Sequence, residues 1–231
     1  AFADRPPDPV LPGVLTGLVA AVERHGAHLG LAFDGDGDRM AAVDDRGQPL
    51  PTDLAMGLFA LRILREKKGG AVVFDVKMSQ TVEDVVRQSG GKPLRCPTGQ
   101  LNVVTWLREK GAVLAGEYSG HYVFPDYAPY DDALAAALFL CRITEEEGGG
   151  SLSGLASELG RPYHATSEIR LSVEGNPLDI ISGIRRGLKE GASLETIDGI
   201  RATYREGWAL VRASGTESAL SFRFESTRRA D

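Results

Sequence analysis

The pattern of apolar and polar residues predicts a helix and then two short strands near the start of the chain. Apolar residues recur at helical spacing across residues 13–25, and Gly26 is placed to cap the end of that helix. The apolar runs 28–33 and 40–43 are too short for helices and predict strands on both sides of the polar segment 34–39. That segment is therefore expected in a turn between two strands.

Strand and helix patterns alternate through the middle of the chain. Helices are predicted at 52–67, 81–88, 102–109 and 130–147, and strands at 71–76, 93–96, 112–115 and 122–124. Alternation of this kind is typical of an α/β layer with a largely parallel sheet.

The last third of the chain has a different pattern. It is preceded by the glycines 148–150, a short helix predicted at 152–159 and a break at Arg161-Pro162. One helix is predicted at 177–189 and strands at 167–173, 199–205, 208–213 and 219–225. We therefore expect mixed, mostly parallel α/β layers followed by a small α+β C-terminal domain with an antiparallel sheet. The expected domains are residues 1–46, 47–160 and 161–231.

Composition narrows the class of protein. The 231 residues carry a formal net charge of −6 and no sizeable basic patch, which argues against nucleic-acid binding. No apolar run approaches the length of a membrane-spanning helix. Cys96 and Cys141 lie far apart, and we expect both to be reduced in a cytoplasmic protein. Because the chain starts with a proline-rich segment and without methionine, we expect it to begin within a longer protein.

Three aspartates at alternate positions form the strongest chemical signal. Asp34, Asp36 and Asp38 are separated by glycines, and each pair of like charges at about 4 Å costs about 4 kcal/mol at an effective dielectric of 20. Such a cluster requires a cation, and its oxygen ligands indicate Mg²⁺, Ca²⁺ or Mn²⁺. An EF-hand is excluded because Arg39 and Asp45 occupy the positions of its glycine and glutamate. An exposed acidic turn is the alternative interpretation.

The segment Gly116–His121 follows a predicted strand and brackets a carboxylate, a hydroxyl and an imidazole with glycines. Loops at the carboxyl ends of strands bind ligands in α/β sheets, and these groups suit a polyol such as a sugar. A plain turn with a solvated glutamate fits the spacing equally well.

Two further segments could bind an anion. Residues 212–218 combine an arginine, two hydroxyls and a glycine in a turn between the last two strands, where they would form a cradle for phosphate or an ordinary hairpin turn. Lys77 and Ser79 end another strand and could hold phosphate, although a surface lysine is the commoner explanation. The turn 98–100 opens a helix whose amides could face a ligand.

Together these segments resemble the α-D-phosphohexomutase family. The Asp34–Arg39 loop resembles the family's Mg²⁺ loop, Gly116–His121 its sugar-recognition loop, and 212–218 the phosphate loop of its last domain, where asparagine often stands in place of Gly215. Residues 75–79 and a Pro-Asp-Pro segment near the start follow the family's order. The resemblance covers the whole chain as the end of domain 2, domain 3 and domain 4.

The resemblance implies that a phosphoserine bound to Mg²⁺ phosphorylates a hexose phosphate, and that the resulting bisphosphate reorients and returns its other phosphate. By position, it assigns the metal to Asp34, Asp36 and Asp38, the phosphoserine contact to Arg39, and proton transfer to His121. It assigns substrate binding to Lys77, Glu117, Ser119, Arg212, Ser214, Gly215 and Thr216.

Two departures from the family pattern are visible. No Ser-His dipeptide resembling the phosphoserine motif occurs, so we expect the chain to be inactive without a preceding phosphoserine domain. Val104 stands where the family usually has a lysine near the reacting sugar. The alternatives are a non-catalytic, metal-dependent phosphosugar-binding module and, less favoured, a Mg²⁺-dependent phosphatase with Asp34 as the nucleophile.

Overall fold

The computed structural model describes residues 6–11, 13–160, 163–188, 190–215 and 217–228. The helices in these ranges are α1 Thr16–His25, α2 Thr52–Glu66, α3 Gln80–Gln88, α4 Gln100–Lys110, α5 Ala133–Glu146, α6 Leu152–Leu159 and α7 Pro177–Gly187. The strands are β1 Leu29–Phe33, β2 Met40–Asp44, β3 Pro49–Leu50, β4 Ala71–Asp75, β5 Lys92–Cys96, β6 Leu114–Gly116, β7 Tyr122–Val123, β8 His164–Ala165, β9 Ile169–Ser172, β10 Ser193–Glu195, β11 Ile200–Tyr204, β12 Gly207–Ala213 and β13 Ala219–Ser226.

The first sheet is antiparallel and has the order β1-β2-β3. Its first hairpin pairs Phe33 with Met40, so that the acidic segment forms the connection between β1 and β2. Helix α1 packs closely on β1 at Gly30, where a β-carbon would lie only 2.7 Å from Cγ2 of Val22. The absence of a side chain at this position lets the helix and the strand approach each other.

The central sheet has the order β5-β4-β6-β7, in which β4 pairs in parallel with β5 and β6, and β7 is antiparallel to β6. Side chains of β4 alternate between two cores, as a strand buried on both faces requires. Val72 and Phe74 join a core with residues of α2, α3 and α5, whereas Val73 joins a second core with Val103 and Leu107 of α4. Helices therefore cover both faces.

The C-terminal sheet has the order β10-β11-β12-β13-β8, with β9 also paired to β13, and every pair is antiparallel. Helix α7 covers one face through a core that includes Ile181, Val211 and Leu220. The α/β class and the antiparallel C-terminal sheet are confirmed. Among the described residues, parallel pairing is confined to the central sheet.

Several predicted boundaries were wrong. Helix α5 begins at Ala133 and not at residue 130, because the Asp132 side chain caps it by accepting a hydrogen bond from the Ala135 amide at 3.0 Å. Helix α7 ends at Gly187; the predicted end at 189 and the break at 161–162 lie outside the described residues. The short strands β3, β8 and β10 were not predicted. Within the described ranges, no helix is long and apolar enough to cross a membrane.

Candidate functional site

The acidic loop between β1 and β2 is closed by hydrogen bonds to Asp34. The Oδ1 atom of this buried carboxylate accepts from the backbone amides of Gly37, Asp38 and Arg39 at 3.1–3.2 Å. Gly37 has a φ of 78°, a left-handed conformation that glycine adopts without strain. The turn is therefore fixed by its own sequence before any ligand is considered.

Arg39 neutralises part of the loop's negative charge. Its Nε lies 2.5 Å from Oδ2 of Asp34 and 4.0 Å from Oδ1 of Asp38, and its Nη1 lies 3.0 Å from Oδ2 of Asp8. Burial by itself raises the pKa of Asp34, but the hydrogen bonds from Arg39 outweigh it and hold that pKa at about 2. The sequence does not predict Asp8 as a partner of Arg39, although the Pro-Asp-Pro segment that contains it is part of the family resemblance.

The three loop carboxylates fit a hard divalent cation. Asp34, Asp36 and Asp38 can each offer one oxygen, and these atoms lie within 4.8 Å of one another. Carboxylate oxygens are the donors that Mg²⁺ binds in proteins, usually together with water. Asp36 is exposed and Asp38 half-buried, so a ligand can approach from the solvent side.

The loop between β6 and β7 lies directly against the metal loop. The amide of Met40 donates to the carbonyl of Gly120 at 3.0 Å, and Arg39 and His121 form an isolated antiparallel bridge. Gly120 has a φ of 97°, and a β-carbon there would lie 2.8 Å from the Met40 carbonyl oxygen. Glycine therefore permits the contact that brings the two predicted sites together.

His121 is held in one orientation by a carboxylate. Its Nδ1 lies 2.5 Å from Oδ2 of Asp131, whose two oxygens also accept from Nε2 of Gln100 at 2.6 and 2.9 Å. Burial lowers the pKa of His121, but the hydrogen bond to Asp131 and the charges of Glu117 and Asp38 raise it overall. No local sequence pattern indicates Asp131, because its pairing with His121 arises only when the chain folds back after β7 and Val123 bridges to Asp131.

The remaining residues of this loop are also enclosed. The Glu117 side chain is buried, and Oγ of Ser119 is buried without a hydrogen-bond partner among the described residues. A buried hydroxyl without a partner is costly in a folded protein and indicates a place where a polar ligand could bind.

Lys77 is buried, unlike the surface lysine that its sequence position suggested as the commoner explanation. Its side chain is buried, with Nζ 3.8 Å from Oδ2 of Asp75, 3.9 Å from Oε1 of Glu168 and 5.5 Å from the centre of the Tyr118 ring. The ammonium group therefore faces two carboxylates in this conformation. Its role in binding substrate phosphate stays a prediction.

The C-terminal hairpin carries the predicted phosphate cradle. Nε of Arg212, at the end of β12, donates to Oδ2 of Asp198 at 2.7 Å. The Ser214 amide donates to the Ala219 carbonyl at 2.8 Å and closes the turn, while Gly215 has open space where a β-carbon would stand. Thr216 lies outside the described residues.

Val104, which replaces the lysine expected near the sugar, is partly buried and packs against the core beneath α4. Its apolar side chain can bind neither a proton nor a phosphate. The structure thus brings together the metal loop, Arg39 and His121, and it places Arg212 on a separate hairpin that reaches the central sheet through Asp198.

The fold and these sites define the chain as a member of the phosphoglucomutase/phosphomannomutase family. Models of that family match as alpha/beta/alpha domain II over residues 1–47, alpha/beta/alpha domain III over residues 51–163 and the C-terminal domain over residues 167–231.

Known relatives are consistent with this membership. The chain is 36% identical to a phosphomannomutase/phosphoglucomutase of Pseudomonas syringae pv. tomato, with all of this chain and 50% of that protein aligned. It is 33% identical to a phosphoglucomutase of Neisseria meningitidis, with 99% of this chain and 50% of that protein aligned. A crystal structure of a phosphoglucomutase/phosphomannomutase family protein from Burkholderia thailandensis matches with a TM-score of 0.90 and 36% identity, over 98% of this chain and 48% of that one. The chain spans about half the length of these relatives.

Proposed function

We propose that the chain forms the metal-, sugar- and phosphate-binding part of a Mg²⁺-dependent phosphohexomutase that interconverts hexose 1-phosphates and hexose 6-phosphates through a bisphosphate. The observation that carries this proposal is the contact between the metal loop and the loop of His121, where Nδ1 lies 3.8 Å from Oδ2 of Asp38. A cation site and an oriented proton acceptor side by side are what phosphoryl transfer to a hydroxyl requires.

The proposed roles follow from the geometry of each group. Asp34, Asp36 and Asp38 would hold Mg²⁺, which when bound neutralises charge on the phosphoryl group. Arg39 stands beside this site and would contact the transferred phosphoryl group. The phosphoserine that the reaction needs is expected on a further domain, which these residues do not supply.

His121 is proposed to move the proton in each transfer. A carboxylate at Asp131 only accepts hydrogen bonds, so Nδ1 carries a proton and Nε2 is the nitrogen that can accept another. The substrate hydroxyl oxygen forms the new bond to phosphorus, the bond between phosphorus and the serine oxygen breaks with its electron pair on that oxygen, and Nε2 takes the hydroxyl proton. The sugar hydroxyls would be bound by Glu117 and Ser119. The phosphate that is not transferred would be bound by the C-terminal hairpin through Arg212, Ser214, Gly215 and Thr216. Lys77 would be a further substrate contact.

One observation favours a second candidate, a phosphosugar-binding module without catalysis. Val104 is partly buried against the core beneath α4, and its apolar side chain cannot replace the family's lysine. The phosphatase hypothesis is less favoured, because the sequence lacks a lysine and a downstream pair of acidic residues in the order that this class of enzyme has.

Titration calorimetry on the chain tests the binding roles. Mg²⁺ should give a heat that is lost in D36N, a substitution at an exposed position that does not disturb the core. Glucose 1-phosphate should give a heat that is lost in R212A and kept in R205A, because Arg205 is exposed at the opposite end of the same sheet. Absence of both heats in the wild-type chain would overturn the proposal.

Catalysis requires the phosphoserine. A longer polypeptide that includes the preceding coding sequence should convert glucose 1-phosphate to glucose 6-phosphate if the chain belongs to a mutase. Binding without conversion by that polypeptide would favour the non-catalytic module.

A further inference from the structure

Asp198 connects the proposed phosphate arginine to the central layer. It lies in the turn between β10 and β11, and its Oδ2 atom accepts from Nε of Arg212 at 2.7 Å and from the backbone amide of Thr98 at 3.0 Å. The side chains of Asp198 and Arg212 are 18% and 12% exposed. The contact is thus largely shielded from solvent, where a charge-assisted hydrogen bond is stronger than at the surface.

Asp198 binds one edge of the Arg212 guanidinium group, and this determines which edge is left for another partner. A guanidinium group has a side edge that contains Nε and an end edge formed by Nη1 and Nη2, and either matches two oxygens of a phosphate. Because Asp198 holds Nε, it restricts the rotation of the group about its long axis and leaves the end edge as the one that it does not use.

Thr98 connects the same carboxylate to the residues around His121. The Thr98 hydroxyl donates to Oδ2 of Asp75 at 3.3 Å, and two residues later Gln100 donates to Asp131, the partner of His121. Polar contacts at the two ends of the segment 98–100 therefore link the C-terminal hairpin to the proposed proton acceptor through the backbone of that segment.

We propose that Asp198 is a positioning residue that orients Arg212 for phosphate binding and ties the phosphate loop to the turn at Thr98. This inference rests on the proposed phosphate-binding role of Arg212. It means that Asp198, a carboxylate that touches no substrate, is one of the residues that determine the affinity for phosphate. A negative charge next to an anion site is unfavourable by itself, so the benefit of Asp198 must come from orientation.

Glu195 provides a matched control. It lies three residues before Asp198, and its Oε1 is 3.1 Å from Nη1 of Arg95 on β5. This ion pair also joins the C-terminal sheet to the central sheet, but it does not include Arg212. E195Q therefore loosens the same interface without changing the orientation of the phosphate arginine.

The test compares D198A, D198N and E195Q by calorimetric titration with glucose 1-phosphate and with inorganic phosphate. D198A should weaken the binding of both by about tenfold, because it removes a charge-assisted hydrogen bond. D198N keeps an oxygen that accepts from Nε and from Thr98 and removes the repulsive charge, so it should recover most of the affinity. E195Q should bind like the wild-type chain.

Each other result has a definite meaning. Tighter binding by both Asp198 variants would show that this carboxylate only repels phosphate. Equal losses of affinity in E195Q and D198A would show that Asp198 is only a general interface contact. Either result overturns the inference. If R212A loses binding while D198A does not, the inference fails and the proposed role of Arg212 stands. If the wild-type chain binds neither compound, both fail. Thermal unfolding of each variant checks the fold, and D198N provides the measurement if D198A does not fold.

Discussion

Asp75 is a fully buried carboxylate at the end of β4, in the centre of the molecule. Its Oδ1 accepts from the Tyr118 amide at 3.3 Å, and Nζ of Lys77 lies 3.8 Å from its Oδ2. Burial raises its pKa strongly, the charge of Lys77 opposes this, and Glu117 adds to it, with a resulting pKa of about 7. The folded protein therefore keeps a proton on Asp75 at a pH where the unfolded chain has lost it.

This difference predicts how stability depends on pH. Between about pH 4 and pH 7 the native state binds one proton more at Asp75 than the unfolded state, so this residue makes the protein less stable as the pH rises. D75N removes that effect. The free energy of unfolding of D75N relative to wild type should increase by up to about 1.4 kcal/mol per pH unit in this window and be constant above it. Urea unfolding between pH 4.5 and pH 8 measures the difference, and a difference independent of pH would contradict the assignment.

At the scale of single residues, the sequence is informative where the members of a site are neighbours in the chain. Asp34, Asp36 and Asp38 could be grouped because six residues of one turn contain them all. Asp131 and Asp198 could not be assigned. Asp131 meets His121 only when it bridges to Val123, and Asp198 meets Arg212 only when β11 pairs with β12. Local spacing contains no information about such contacts.

At the scale of elements, the contact between β2 and the β6–β7 loop decides whether the metal loop and His121 meet. Gly120 makes this contact through its backbone and leaves no room for a side chain, with a β-carbon position 2.8 Å from the Met40 carbonyl oxygen. We predict that G120A separates the two loops. It should destabilise the chain by about 2–4 kcal/mol, since the backbone strain of a positive φ is added to a steric clash.

Gly90 is the matched control for this prediction. It has a φ of 75° and nothing within 4 Å of a β-carbon position, so G90A should cost only the strain, about 1–2 kcal/mol. Chemical denaturation gives both costs, and the amide resonances of Met40 and His121 report the separation of the loops. If G120A were no more destabilising than G90A and left these resonances unchanged, the close contact would be wrong.

Long elements were predictable from periodicity, and short ones were not. The alternation that predicted the central α/β layer reflects the two cores on either side of β4. β8 and β10 contain only two and three residues, too few for a period to appear, and their pairing with longer strands defines them. The start of α5 was misplaced because Asp131 pairs with Val123 just before the capping residue.

At the scale of the whole molecule, the C-terminal sheet is joined to the central layer by buried cations. Nη1 of Arg201 donates to the Val76 carbonyl at 2.8 Å, and its guanidinium group lies 3.6 Å from the centre of the Trp208 ring. Nη2 of Arg223, on β13, lies 2.7 Å from Oδ2 of Asp53 at the start of α2. The Cζ atom of the same guanidinium group lies 4.1 Å from the centre of the Tyr118 ring. A hydrogen bond, an ion pair and the cation–π contact with Tyr118 thus cross this interface.

The pair of Arg223 and Asp53 should therefore be important for the stability of the whole chain. R223A leaves Asp53 buried without its cationic partner, and breaking a buried ion pair in this way costs about 3–5 kcal/mol. This is a large part of the 5–15 kcal/mol that is typical of a folded domain. The control is R142A, because Arg142 pairs with Glu146 on the exposed surface of α5, where the loss should be at most about 0.5 kcal/mol. Urea denaturation of both variants measures these free energies, and equal losses would mean that the ion pair between the two layers contributes no more than a surface contact.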